Sequence, residues 1–213
     1  RLRKALYGLK QAPRAWCSRV DNYLQSLEFV KSPSEATLYV KKSNANLIIV
    51  SVYVDDLLVT GSNEKLVDEF KAEMFKAFEM TDLGLLTYFL GMEVKQGHDG
   101  VFICQKKFAK EILKKFHMKN CKEISTPMNQ KEKFSKEDGA EEVNEGLYRS
   151  LIGCLMYLTA TRPDLMFAVS LMSRFMNCAS EVHFATAKRI LRYVKGTTDY
   201  DIKYSYCDDF RLQ

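Results

Sequence analysis

No stretch of this sequence is apolar enough to cross a bilayer. A spanning helix needs about twenty apolar residues, and the longest run here, Leu47 to Val54, ends in Asp55 and Asp56. There is no Cys-x-x-Cys pair either. The six cysteines (Cys17, Cys104, Cys121, Cys154, Cys178 and Cys207) are scattered and read as reduced thiols of an intracellular protein, several at core positions. Cys104, His117 and Cys121 come nearest to a zinc set, but two of them fall on or beside one short helix and no fourth ligand stands nearby, so zinc is not expected. No signal peptide is visible, and the chain opens on Arg1 rather than methionine, which reads as a start inside a longer reading frame or after a cut. No internal repeat is found. Acidic residues are absent from the first nineteen positions, where Arg1, Arg3, Lys4, Lys10, Arg14 and Arg19 stand.

Basic residues gather twice more: seven lysines against one glutamate between Lys106 and Lys122, and the cluster Lys188, Arg189, Arg192 and Lys195. Such patches suit a phosphate backbone, because each neutralised phosphate releases counterions. The alternative is three solvated helix faces. The net charge of +5 decides little by itself. With 213 residues, 46% hydrophobic and 28% charged, the chain can bury a core as one domain, or as one domain with a small neighbour.

Apolar spacing predicts a helix over 15–28, where Trp16, Val20, Tyr23, Leu24 and Leu27 recur, ended by Lys31-Ser32-Pro33-Ser34. Thr37–Val40 and Leu47–Tyr53 read as strands, and Leu57–Thr60 follows so closely that Val54-Asp55-Asp56 must form a tight hairpin. Ser62 or Asn63 can cap a helix whose stripe is Leu66, Val67, Phe70, Met74 and Phe78. A second hairpin is expected from strands Tyr88–Lys95 and Val101–Gln105 around Gly97-His98-Asp99-Gly100. From Lys106 the period turns helical, with Phe108, Ile112, Leu113 and Phe116 on one face and Lys107, Lys110 and Lys114 elsewhere. The polar stretch 129–146 suggests a linker or a loop. Three helices follow, Tyr148–Leu158, Pro163–Met176 and Glu181–Lys195, the last capped by Ser180 and stopped by Gly196. Strands with helices first and helices alone afterwards make an α+β fold.

Asp55 and Asp56 stand at the tip of an otherwise apolar hairpin. Crowding two carboxylates costs several kcal/mol unless a cation compensates them. Magnesium does so with one or two carboxylates plus substrate phosphates, and two such ions about 4 Å apart hold the attacking and leaving oxygens of a nucleotidyl transfer. Neighbouring strand residues point to opposite faces, so a symmetric clamp needs at least one more carboxylate from another element. By itself an Asp-Asp pair would read more readily as a surface turn, because such turns are common.

Tyr53-Val54-Asp55-Asp56, within the run from Ile49 to Gly61, is similar to the palm hairpin of copia-type retrotransposon reverse transcriptases. Lys4-Ala5-Leu6-Tyr7-Gly8-Leu9-Lys10-Gln11-Ala12-Pro13-Arg14-Ala15-Trp16 resembles the same family's motif before the palm helix. The match continues through Asp82-Leu83-Gly84, Tyr88-Phe89-Leu90-Gly91-Met92-Glu93-Val94 and Ser125-Thr126-Pro127-Met128. It then runs through Tyr148-Arg149-Ser150-Leu151-Ile152-Gly153, Thr161-Arg162-Pro163-Asp164 and the segment from Lys188 to Thr197, in the family's order over essentially the whole chain.

The resemblance implies a partial right-hand polymerase. Residues 1–105 would be a partial palm, with antiparallel sheet, catalytic hairpin and primer-grip-like hairpin; 106–128 a thumb-like basic helix segment; 129–146 a polar linker or loop. Residues 147–213 would be a helical connection toward a ribonuclease H domain beyond the chain. Asp55 and Asp56 would be catalytic residues and ligands of magnesium, with manganese as a substitute, Asp55 the more critical. Tyr53 and Val54 would lie against primer end and template, Gln11 on the incoming nucleotide, and Gly91, Met92 and Glu93 at the primer. Lys107, Lys110 and Lys114 would track the nucleic-acid backbone. The implied partners are an RNA template, a DNA primer and deoxynucleoside triphosphates, with no membrane, in a cytoplasmic virus-like particle or in the nucleus. The family's first catalytic aspartate lies upstream of the Lys4–Trp16 motif and nothing here precedes Arg1, so the chain alone is expected to be inactive. Cys207-Asp208-Asp209-Phe210-Arg211-Leu212-Gln213 looks like the run into the ribonuclease H domain, and Asn177-Cys178-Ala179-Ser180 lacks a proline common at that point. Two other readings stay open: a nucleic-acid-binding remnant without turnover, and a decayed retroelement fragment without function.

Overall fold

A computed structural model describes residues 8–43, 46–129 and 131–205, and the chain divides into two compact units, Arg1–Leu83 and Gly84–Gln213. The first begins with α1 (Ala12–Ser26), which carries Pro13 in its first turn, where a missing N–H is tolerated. Val20 and Leu24, one turn apart on α1, are buried. Four antiparallel strands follow and stand side by side in chain order: β1 (Val30–Lys31), β2 (Leu38–Ser43), β3 (Asn46–Tyr53) and β4 (Asp56–Gly61). Alternate residues of β3, namely Ile48, Val50 and Val52, are buried, as a strand with one covered face requires. The helix α2 (Glu64–Ala77) opens on Asn63, whose side chain accepts the Leu66 N–H at 3.0 Å. Phe70, Met74 and Phe78 then join Val20, Leu24 and the β3 residues in one core.

The second unit opens with β5 (Tyr88–Phe89), β6 (Met92–Gly97) and β7 (Gly100–Cys104). The expected strand Tyr88–Lys95 is split in two. Leu90 and Gly91 take φ of +50° and +80°, and Phe89 pairs directly with Met92, so the chain reverses within two residues. An apolar run hides that reversal, which Gly91 alone marks. A fourth strand, β8 (Ile202–Ser205), lies beyond the elements the sequence predicts; it pairs with β7, placing Ile202 opposite Ile103. Because β8 follows the helices in sequence, it draws this sheet into their unit. The division therefore falls after Leu83, ahead of the sheet, and not at 105.

The helices α3 (Lys106–Lys115), α4 (Glu145–Leu158), α5 (Met166–Ser173) and α6 (Glu181–Gly196) share a core that includes Ile112, Leu151, Leu155, Met172 and Ile190. The helix expected over Pro163–Met176 is shorter, because Pro163–Leu165 forms a 3₁₀ turn and α5 stops at Ser173. Ahead of that turn, the buried Arg162 donates to both Asp164 carboxylate oxygens at 2.9 and 2.7 Å, and to the Thr197 carbonyl at 2.9 Å. Among the described residues no helix is long and apolar enough to cross a membrane.

Residues 131–144 form a loop held on this unit. Phe134 and Val143 pack on the core, and the Ser180 hydroxyl, at the cap of α6, donates to Asp138. His183, fully buried and stacked on Phe175 with ring centroids 4.0 Å apart, accepts the Ser180 N–H on Nδ1 at 3.1 Å. Burial pushes the His183 imidazole below its ordinary value, the Asp138 charge opposing it. The Ser180 hydroxyl holds the Asp138 carboxyl below its ordinary value. Both groups bind protons more readily in the unfolded chain, so each withdraws stability as the medium turns acid. The second unit is expected to melt at falling temperatures as pH drops from about 7 through the ordinary histidine value of about 6.5 and on toward about 4. His183→Gln, which keeps an acceptor for the cap, should flatten the upper part of that decline. A wild-type melting temperature indifferent to pH over that range would contradict the assignment.

Candidate catalytic hairpin and nucleic-acid interface

β3 and β4 pair from Ile48 opposite Gly61 to Tyr53 opposite Asp56. The loop is therefore Val54 and Asp55, and Asp56 already opens β4. Tyr53, Val54, Asp55 and Asp56 are all exposed at the tip. Val54 has φ +52°, in the left-handed region that costs an L-residue about 1–2 kcal/mol and that β-branched side chains avoid. Its carbonyl accepts the Trp16 indole N–H at 2.8 Å. Gln11 stands at the N-cap of the same helix, exposed and making no side-chain cap bond. At about 1.5 Å per residue it precedes Trp16 by about 7.5 Å of helix. Gln11 and the aspartate hairpin thus lie on connected elements of one unit.

Among the described residues no group of three or more histidine, cysteine, aspartate or glutamate side chains could hold a metal ion. The tip supplies two carboxylates and no closed cage. Magnesium keeps several waters and takes one or two carboxylates plus substrate phosphates, so Asp55 and Asp56 fit an open site that other ligands complete.

In the second unit the turn between β5 and β6 is fastened to α4. The Tyr157 hydroxyl donates to the Leu90 carbonyl, and the Tyr157 ring meets Phe108 of α3 edge-on at 4.8 Å. A side-chain carbon on Gly91 would collide with the Tyr157 oxygen, and the positive φ already disfavours one. Gly91→Ala is expected to destabilise this unit by about 2 kcal/mol or more, read as a lower denaturant midpoint at unchanged slope. Tyr157→Phe in the same background should recover part of that loss; an unshifted midpoint in Gly91→Ala would refute the account. Met92, next along, is partly buried. Glu93 accepts the backbone N–H of Lys107 at 2.8 Å, at the start of α3, where the N-cap residue Gln105 makes no side-chain cap bond. Its carboxylate is engaged in holding that helix to β6.

The basic residues divide by what they touch. Lys107 lies over the Tyr88 ring at 5.7 Å and Lys106 pairs with Asp199. Lys110 and Lys114 are exposed, on the side of α3 away from the buried Ala109, Ile112 and Leu113, and no hydrogen bond or ion pair among the described residues holds either. The cluster on α6 is mostly occupied. Arg189 donates to the Thr126 hydroxyl at 2.9 Å, Arg192 to the Lys122 carbonyl at 2.8 Å, and Lys195 to the Cys121 carbonyl at 2.7 Å. These side chains staple segment 121–126 to the helix, so the third basic cluster is largely internal structure. Lys4 to Tyr7 and the run from Cys207 to Gln213 lie outside the described residues.

Residues 1–130 match the family described as reverse transcriptase (RNA-dependent DNA polymerase), and the chain belongs to that family. It is 39% identical over 202 residues to the retrovirus-related Pol polyprotein from transposon RE1 of Arabidopsis thaliana, a match covering 95% of this chain and 14% of the polyprotein. It is 38% identical over 208 residues to the Pol polyprotein from transposon TNT 1-94 of Nicotiana tabacum, covering 93% of this chain and 16% of that protein. A putative transposon Ty5-1 protein of Saccharomyces cerevisiae is 31% identical over 214 residues, covering 95% of this chain and 70% of the yeast protein. The sequence is thus a reverse transcriptase segment of the copia-type Pol polyprotein kind, spanning 14% of the length of the RE1 polyprotein. No solved structure matches. In sequence Trp16 reads as a member of an apolar stripe and as the last residue of the Lys4–Trp16 motif, and Tyr157 has no part. The one available signal was that Trp16 is the chain's sole tryptophan and closes a family motif.

Proposed function

We propose that this chain is the part of a copia-type reverse transcriptase palm that presents the metal-binding aspartates, together with a primer-contacting turn and a basic helix, and that the longer protein performs magnesium-dependent, RNA-directed DNA synthesis. The observation that carries the reading is the exposed Asp55-Asp56 pair at a hairpin tip, inside the span that matches the family. Asp55 and Asp56 would hold magnesium, or manganese in its place; bound there, the ion would stabilise charge on the transferring α-phosphate. The chain's own residues do the remaining work. Val50 and Val52, buried, seat the hairpin so that its tip is presented outward. The exposed Gln11 amide serves the incoming nucleotide, and Tyr53 and Val54 offer an apolar shelf to the primer end and template. The turn at Gly91 and Met92 meets the primer, with Glu93 acting through the helix it supports. Lys110 and Lys114 take phosphates, with Lys107 beside them.

The test replaces the matching stretch of the RE1 polyprotein by this chain and measures primer extension on an RNA template. Extension by the chimera that vanishes with Asp55→Asn is expected; extension that survives the substitution overturns the role of Asp55. A second reading, nucleic-acid binding without turnover, draws on Lys110 and Lys114, whose exposed ammonium groups need no metal. It would prevail if the chimera bound primed template and never extended it.

A further inference from the structure

We infer that Trp16 is a positioning residue for the aspartate hairpin: its indole N–H fixes the carbonyl of Val54, and with it the turn that presents Asp55 and Asp56. The inference rests on the proposed role of that hairpin in metal binding and adds a residue to it. Trp16, Arg19 and Tyr23 recur at helical spacing and share one face of α1. That face closes on Phe78, the buried residue that ends α2. Trp16 meets the Phe78 ring edge-on at 5.4 Å and 78°, and Tyr23 does so at 5.2 Å and 85°. The Arg19 guanidinium lies over the same ring at 5.0 Å and donates to the Ala77 carbonyl at 3.1 Å. The Tyr23 hydroxyl donates to the Glu73 carbonyl at 3.0 Å. The indole is therefore oriented by α2, through contacts that owe nothing to the hairpin.

An indole has one donor, and here it reaches a carbonyl 38 residues away in sequence. The acceptor belongs to Val54, whose φ of +52° is a conformation that persists only where the surroundings over-determine it. Two adjacent carboxylates on an exposed tip repel one another, and a tip free to rotate the peptide between Val54 and Asp55 would relieve the strain by re-aiming Asp55. With the Val54 carbonyl tied to Trp16, that peptide plane is set, and so is the direction in which Asp55 leaves the chain. Water can replace the bond at an exposed site, so folding depends on it little and aim depends on it much.

The experiment compares the full chain with its Trp16→Phe variant, which keeps an aromatic ring on Phe78 and lacks the N–H. Amide hydrogen exchange at Asp56, which pairs with Tyr53 at the tip end of the ladder, is expected to quicken about tenfold, while Val50 and Val52 keep their protection. Unchanged exchange at the tip overturns the inference; acceleration spread evenly over β2, β3 and β4 overturns it too, by making Trp16 a general support of the fold. Manganese alone is the second probe, read by quenching of the sole indole in the wild type. Quenching that disappears in Asp55→Asn, with affinity about tenfold weaker in Trp16→Phe by the resonance signal of free manganese, completes the case. No quenching in the wild type would sink the metal reading of the hairpin, while tip-restricted exchange would still uphold the clamp.

Discussion

The 213-residue chain, given primed RNA template, nucleotides and magnesium, is expected to extend a primer at least about a thousandfold more slowly than the RE1 chimera that contains it. The reason is a count of ligands. Asp55 lies in the loop and Asp56 in the first position of β4, so the two side chains leave the backbone in different directions. No third histidine, cysteine, aspartate or glutamate joins them in a possible metal group among the described residues. Transfer by two metals relies on carboxylates that hold ions on both sides of the reacting phosphate. Magnesium insists on near-octahedral geometry and fills an empty position with water, not with a poorly aimed side chain. A missing ligand worth about 4 kcal/mol at the transition state accounts for a thousandfold, at about 1.4 kcal/mol per tenfold. Single-turnover extension on identical primed template gives the comparison. Equal rates for chain and chimera would show that Asp55 and Asp56 suffice.

The elements that could be read from sequence are those in which several local signals agree. For α2, the Asn63 cap and the stripe through Phe70 and Met74 point to the same boundaries, and the helix runs Glu64–Ala77. The aspartate hairpin was legible for a similar reason: two strongly apolar strands leave almost no residues in which to turn. β8 had no such support. Ile202–Ser205 is short, largely exposed and paired with a strand about a hundred residues earlier, and non-local pairing leaves no mark in a local window. The reversal at Leu90-Gly91 failed on composition, since a turn without asparagine, aspartate or proline looks like strand.

The candidate site divides in the same way. Chemical type was visible, because adjacent aspartates and clustered lysines announce themselves. The commitments of those side chains were not. Arg189, Arg192 and Lys195 look like a phosphate surface in sequence, yet each donates to a group in segment 121–126. Glu93 looks like part of a primer contact, yet it receives the Lys107 N–H in the first turn of α3. Trp16 reads as one more member of an apolar stripe, and only the folded chain shows its N–H turned to Val54.

That division yields the last expected result. Lys110→Glu with Lys114→Glu should strip about two phosphate contacts from duplex binding, flattening the slope of log affinity against log salt by about 1.8, at about 0.9 per contact. Between about 50 mM and about 200 mM salt, two contacts correspond to a change of about tenfold in affinity. Both lysines are exposed and engaged by no hydrogen bond or ion pair among the described residues, so their loss should leave the melting temperature nearly unchanged. Lys107→Glu should add less, because Lys107 already rests on Tyr88. Arg192→Gln should do the reverse of the α3 pair. It removes a charge-assisted bond to the Lys122 carbonyl, which is worth about 1.5–3 kcal/mol, and so should lower the melting temperature while barely altering the salt slope. Anisotropy of a labelled duplex over that salt range, paired with melting curves for each variant, separates the two kinds of basic residue. A slope that responds to Arg192→Gln and ignores the α3 pair would transfer the nucleic-acid track from α3 to α6.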